Sequence, residues 1–219
     1  VGLFSGVIIV SWIFSGWLSM DHGRIFSTPN PTPEQVKALR GGSFYNVVSK
    51  IRPTETSRYL DAKELKFHGL GGVPFIVAKG DRGIIDAPVL EPNFIASAVA
   101  TALPNVQIKR WGLVESNDAY TDLREGSLPE GTIRVELSDP SQTWLHINNR
   151  SGELITVIDR SRRIYRWLYN GLHSLDVPGV SNRRPMWDIL MLALLSAGFI
   201  ASLTGAILGV RRLFIAMPK

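Results

Sequence analysis

Apolar residues gather at the two ends of the chain, and the stretch between them is mostly polar and punctuated by turns. Val1–Met20 (VGLFSGVIIVSWIFSGWLSM) carries no charge, and Trp187–Val210 carries only Asp188 at its outer edge. A helix rises about 1.5 Å per residue, so about 20 apolar residues cross a hydrocarbon core of about 30 Å. Both segments therefore predict transmembrane helices, at 1–20 and 186–210, with a globular domain of roughly 165 residues held on one side.

Inside that domain the periodicity alternates between helix and strand. Thr32-Pro33-Glu34-Gln35 reads as a capping box with proline at the first helical position, and Gly41-Gly42 closes the helix. A second helix is expected over Tyr45–Ile51, before Pro53. Residues 64–68 and 73–78 predict strands paired across Gly71-Gly72, and Gly80-Asp81-Arg82-Gly83 turns the chain toward Ile84-Ile85. The pattern then restarts. Pro92 opens a helix with apolar Phe94, Ile95, Ala98, Val99 and Leu103, stopped by Pro104-Asn105. Strands are predicted at about 106–114, 132–137, 143–147 and 153–158. Helix followed by antiparallel strands, twice over, predicts an α+β fold of two related units, 21–90 and 91–160, each burying a helix on one sheet face. Ser161–Leu175 then reads as an amphipathic helix with Ile164, Trp167, Leu168 and Leu172 on one side, part of an interfacial stretch 161–185.

Charge orients the hairpin. Arg211, Arg212 and Lys219 follow the second span with no acid after them, which favours a cytoplasmic tail at 211–219. Two spans then place the N-terminus inside and the domain outside, in a periplasm-like space. Arg183 and Arg184 argue the other way, but long domains translocate largely regardless of charge. A secretory signal peptide is the competing reading of the first segment. That segment lacks a basic start, and no small-x-small cleavage site stands out near Ser19. The chain begins with Val rather than Met, so it is read as a fragment or processed form.

The formal net charge is +5. The tail supplies most of it, so the outer portion is nearly balanced and offers no basic face of the size nucleic acid needs. Arg160, Arg162, Arg163 and Arg166 form a local basic cluster, expected to meet anionic lipid head groups at the membrane surface. There are no cysteines, which excludes disulfides, thiolate catalysis and Cys-ligated metal centres.

Candidate chemistry is sparse. Catalytic and phosphate-cradling motifs are absent, and Gly69-Leu70-Gly71-Gly72 lies between strands, where a hairpin turn explains it. Asp118 and Asp122 flank Tyr120 in a loop and are read as solvated acids. His68 and His146 fall in predicted strands, with surface or satisfied core roles. His22 follows the first span and His173 precedes the second, so both are expected near the outer membrane surface. Neutral imidazole suits iron, and the pair could share a haem there. The other reading makes His173 a hydrogen-bonded interfacial residue and His22 a solvated turn residue. Ala197, Ala201, Gly205 and Gly209, with Ser11, Ser15 and Ser19, form small-residue stripes that mark helix–helix contact, with each other or with further transmembrane helices of the same or another chain. Such stripes also leave room for a flat macrocycle. Asp188, near the membrane edge, can meet water or Arg184.

Arg166-Trp167-Leu168-Tyr169-Asn170-Gly171-Leu172-His173-Ser174-Leu175-Asp176 resembles the signature of PepSY-associated transmembrane proteins. Arg184-Pro185-Met186-Trp187-Asp188, Thr204-Gly205 and Arg211-Arg212-Leu213 are similar to downstream parts of that family. Phe14-Ser15-Gly16-Trp17-Leu18-Ser19-Met20 looks like the end of a family helix, and Asp139-Pro140 with Thr143-Trp144-Leu145-His146-Ile147 and Gly152 like its strand–turn–strand. Family members often have four spans, and by that comparison the chain corresponds to the later half of a longer member. The resemblance implies two PepSY-like helix-on-antiparallel-sheet units flanked by two transmembrane α-helices. It also implies a bacterial inner-membrane location with a periplasmic domain. The function implied is a partner- or ligand-binding module. The alternatives are a b-haem redox protein in ferric-siderophore reduction and iron uptake, with His173 and His22 as ligands, and a modulator of periplasmic peptidases.

Overall fold

The computed structural model describes residues 2–20, 25–123, 126–181 and 183–215. Its elements run α1 (Gly2–Ser19), α2 (Pro33–Arg40), α3 (Phe44–Val48), α4 (Pro53–Thr56), β1 (Glu64–Leu70), β2 (Val73–Gly80), β3 (Gly83–Asp86) and α5 (Pro92–Ala102). They continue with β4 (Ile108–Leu113), β5 (Asp122–Leu123), β6 (Gly126–Ser127), β7 (Thr132–Leu137), β8 (Trp144–Asn148), β9 (Leu154–Ile158), α6 (Arg160–Tyr165) and α7 (Met186–Ile215). A 3-10 turn (Ser57–Tyr59) follows α4, and a π-helical segment (Arg166–Gly171) follows α6. The chain divides into an α+β unit (Ser27–Asp122 and Ser127–Arg163) and a helical unit (Val1–Phe26, Leu123–Gly126 and Ile164–Lys219).

In the α+β unit, α2 starts where its capping box predicts: Thr32 Oγ1 accepts from the Gln35 N–H, and Gln35 Oε1 accepts from the Thr32 N–H. Its C-terminal carbonyls are satisfied by the β1–β2 hairpin, whose Gly71 and Gly72 N–H groups donate to Leu39 and Arg40 at 2.8 Å each. This close approach requires glycine at position 41. Its φ is +82°, and a Cβ there would stand 2.3 Å from the Gly72 nitrogen.

Strands β1-β2-β3 form one antiparallel sheet and β4-β7-β8-β9 a second. One buried cluster joins them. It takes Leu39 from α2, Leu70 from β1, Ile95 and Val99 from α5, and Ile133, Val135, Leu145 and Ile147 from one face of the second sheet. Alternation along β7 and β8 sends those apolar residues to the core and leaves Arg134, Glu136, Trp144 and His146 on the opposite face. The outer edge of β9 is covered, because Pro29 O accepts from the Val157 N–H (2.9 Å) and from Thr156 Oγ1 (2.8 Å). Strand β4 is the opposite edge.

In the helical unit, α1 packs on α7 through Ile9 against Gly198, with Ser15, Leu18 and Trp187 buried. Among the described residues one helix, Met186–Ile215, is long and apolar enough to cross a membrane, and the apolar stretch Gly6–Ser19 is shorter. The small-residue stripe is only half used. Ala197 and Ala201 are partly buried, whereas at Gly205 and Gly209 a side-chain methyl would meet nothing within 4 Å. The reason is length: α1 has 18 residues and α7 has 30, so α1 covers only the first part of α7.

The helix expected over Ser161–Leu175 runs unbroken from 160 to 173, with a π-helical segment in its middle. Of the apolar side expected to lie at the membrane surface, Ile164, Trp167 and Leu172 are exposed and Leu168 is partly buried, while Arg166, Asn170 and Gly171 are buried. A polar contact outweighs the apolar stripe here: Arg166 pairs with Asp176 at 3.6 Å, both almost fully enclosed, and the Asp176 N–H donates to Asn170 O. Arg166 therefore leaves the basic surface cluster. Arg163 is half-buried too, whereas Arg160 is exposed as expected.

Candidate functional site

The polar face of the second sheet carries a constellation that begins with strand register. Arg134 on β7 stands opposite His146 on β8, and His146 opposite Thr156 on β9; two residue pairs along, on the same face, Glu136 stands opposite Trp144. Cross-strand partners in such register have neighbouring side chains on one face. Arg134 uses its whole fork. Nη1 and Nη2 donate to Asp118 Oδ2 (2.9 Å) and Oδ1 (2.7 Å), and Nε donates to His146 Nε2 (3.0 Å). The bidentate geometry is the strong form of a charge-assisted pair.

Asp118 belongs to the loop after β4 and folds it as well. Its Oδ1 accepts from the Tyr120 N–H (3.0 Å) and the Thr121 hydroxyl (3.2 Å), an Asx-type turn. Tyr120 meets Trp144 edge-on at 5.2 Å. The guanidiniums of Arg134 and Arg163 lie 4.4 Å and 4.2 Å from the Trp144 ring centroid. Arg163 is fixed there by donating to the carbonyl oxygens of Gln142 (2.8 Å) and Ile158 (3.3 Å). The loop is thus bolted to the sheet by one ion pair and one edge-on aromatic contact.

Electrostatics follow from this packing. His146 is fully enclosed, and burial, reinforced by the Arg134 charge against the opposing pull of Asp118, drives its pKa down to about 3. The ring is neutral at ordinary pH, with Nε2 as acceptor and the proton on Nδ1. Burial pushes the Asp118 carboxyl up, but the hydrogen bonds and charge of Arg134 outweigh it and hold the group below its usual range. Asp118 is therefore no solvated loop acid, which corrects the expectation above. Neither residue is placed for proton transfer at neutral pH.

The bolted loop walls a cleft of about 730 Å³. Leu113, Val114 and Thr132 contribute from the strand ends, Glu115, Ser116, Asn117 and Thr121 from one wall, and Ser127, Leu128, Pro129 and Glu130 from the other. Its volume lies in the range of small-molecule sites, with apolar and hydrogen-bonding groups mixed. A smaller pocket of about 210 Å³ lies beside it, against Arg110, Asp118, Arg134 and Glu136.

His68 on β1 is half-buried, and burial lowers its pKa against the pull of Glu153. In the helical unit, His173 follows the π-helical segment and sets Nδ1 3.1 Å from Ser15 Oγ, beside Gly16. With the Ser15 hydrogen given to Ser11 O (2.8 Å), the Ser15 oxygen can accept from an Nδ1–H tautomer of His173, which leaves Nε2 as that ring's acceptor. Tyr169 stacks on the ring at 5.3 Å, followed by Tyr165 and Phe26. His22 lies outside the described residues. Arg134 and Trp144, central to the α+β site, were not singled out by sequence. The signal was the alternation in Thr132–Leu137 and Trp144–Asn148, which puts Arg134, Glu136, Trp144 and His146 on one face.

Comparison with protein-family models, with curated proteins and with solved structures finds no match to this chain.

Proposed function

We propose that this chain is a membrane-anchored binding module of the PepSY-associated type. In this reading α1 and α7 form a hairpin through the bacterial inner membrane, and the α+β unit binds a ligand or partner on the extracytoplasmic side. The observation that carries the binding role is the 730 Å³ cleft, walled by a loop that Asp118 and Arg134 hold rigid. Preorganised walls reduce the entropy lost on binding. The uncharged run 189–210 of α7, about 33 Å at 1.5 Å per residue, supports the anchor. The test is fractionation of cells expressing the full chain. Alkaline carbonate should leave it in the membrane pellet, and protease added outside spheroplasts should degrade the α+β unit. Release by carbonate, or protection from the protease, overturns the reading.

A second reading is favoured by one observation, the contact of His173 Nδ1 with Ser15, which in the Nδ1–H tautomer leaves Nε2 as the acceptor. Histidines that ligate metals donate their other ring N–H in this way, which fixes the tautomer and raises basicity. His173 would hold a b-type haem through Nε2, and the haem would supply one-electron transfer. On this reading, full-length protein produced with haem shows a dithionite-sharpened absorption band that His173→Ala abolishes and Ser15→Ala shifts. A colourless protein sinks it.

A further inference from the structure

Strand β4 ends the second sheet with its outer side open. The Val114 N–H donates to Thr132 O at 2.9 Å, which makes 114/132 a hydrogen-bonded pair of the β4–β7 ladder. Antiparallel ladders alternate, so Gly112 also points its N–H and C=O at β7, while Trp111 and Leu113 point theirs away from the sheet. No described segment pairs with those outward groups, in contrast to β9, whose edge Pro29 covers. The side chains are set for a visitor as well. Leu113 is 64% exposed, and Trp111 is 44% exposed with its indole held by a hydrogen bond to Asn93 Oδ1 at 3.0 Å. An apolar wall at a sheet edge, already fixed in orientation, loses little entropy when covered.

Charge selects the occupant. Lys109 and Arg110 are exposed on this strand, and the Arg110 side chain touches Glu136 only loosely, at 3.8 Å. Two copies pairing edge to edge would crowd four cations onto one short ribbon, and cations on edge strands guard against that self-pairing. An acidic extended segment meets the same cations favourably. We propose that β4 is a docking edge for an extended peptide segment of a partner protein, added as a fifth strand. Its apolar side chains lie over Trp111 and Leu113, and its acidic ones lie beside Lys109 and Arg110. Main-chain bonds at the edge give affinity and alternate side chains give selectivity. The proposal rests on the binding-module reading and names the class of partner.

The experiment uses the full chain in detergent and fluorescein-labelled eight-residue peptides of alternating valine and glutamate, or valine and lysine, followed by anisotropy. The glutamate peptide should bind at least tenfold more tightly than the lysine peptide. Leu113→Pro should abolish binding, because it removes an outward donor without touching the β7 ladder. The double change Lys109→Glu and Arg110→Glu should invert the preference. Should the proline variant unfold, a glutamate peptide N-methylated on alternate valines replaces it and should not bind. Equal binding of both peptides, binding that survives either block, or concentration-dependent dimerisation that displaces the peptide overturns the proposal. Carbonate release, by contrast, sinks the anchored reading and leaves this test standing.

Discussion

Replacing Arg134 with alanine is expected to lower the stability of the α+β unit by about 3 kcal/mol, the scale seen when one partner is removed from a buried ion pair. For a unit of this size that is a fall of about 10 °C in the thermal midpoint. Three losses coincide. The Asp118 carboxylate, with its side chain only 19% exposed, loses both guanidinium bonds, His146 Nε2 loses its donor, and Trp144 loses one of its stacked cations. Lysine at 134 should recover little, because an ammonium cannot span Asp118 and His146 together. The double change Arg134→Leu with Asp118→Leu should cost less than the single alanine, since it strands no charge. Thermal unfolding followed through tryptophan fluorescence reads this directly, with Trp144 inside the affected cluster. An alanine variant within about 0.5 kcal/mol of the parent, the usual scale of surface substitutions, would show that Asp118 and Arg134 do not form a closed pair in solution.

The same cluster marks how far the sequence alone reaches. Local signals were strong wherever the physics is local. The Thr32–Gln35 capping box, Pro92 at the start of α5 and the Gly71-Gly72 turn all act within one turn of chain, and each element stands where they put it. The strands predicted at 132–137 and 143–147 likewise match β7 and β8 within a residue. What stayed hidden depends on contacts between distant positions. Arg134 and His146 are 12 residues apart, and Asp118 reaches Arg134 from a loop with no periodic pattern at all. The π-helical Arg166–Gly171 was missed for a related reason. Hydrophobic periodicity ranks side chains by polarity, whereas there the enclosed groups are Arg166 and Asn170, with Asp176 ten residues on completing the ion pair. Histidine roles divided the same way. The place of His173 shortly before α7 is plain in the sequence, but its contact with Ser15, 158 residues away, is not.

Acid should unfold the α+β unit well before its carboxylates titrate, and His146 is the cause. The folded ring has a pKa of about 3, against about 6.5 for an exposed histidine. Between those values the unfolded chain takes up a proton that the folded site refuses, so stability rises with pH across that window. The contribution is fully present above about pH 6.5 and is lost as pH falls toward 3, on the order of 5 kcal/mol in total. Asp118 adds to the fall below about pH 4, because its folded carboxyl is held under its ordinary range and protonation breaks its bonds to Arg134. His68, also lowered by burial, works in the same direction, and His68→Gln isolates its share. The decisive variant is His146→Gln. A glutamine oxygen can still accept from Arg134 Nε but carries no titrating group, so apart from the share of His68 its midpoint between pH 6.5 and 4.5 should be nearly flat while the parent falls. If parent and variant fall in parallel, the proton is taken up elsewhere and His146 is not the neutral acceptor that the Arg134 bond requires. A flat variant would mean that the bolt on the cleft loop is itself acid-labile, since protonated His146 puts a second cation against Arg134 and leaves its Nε without an acceptor.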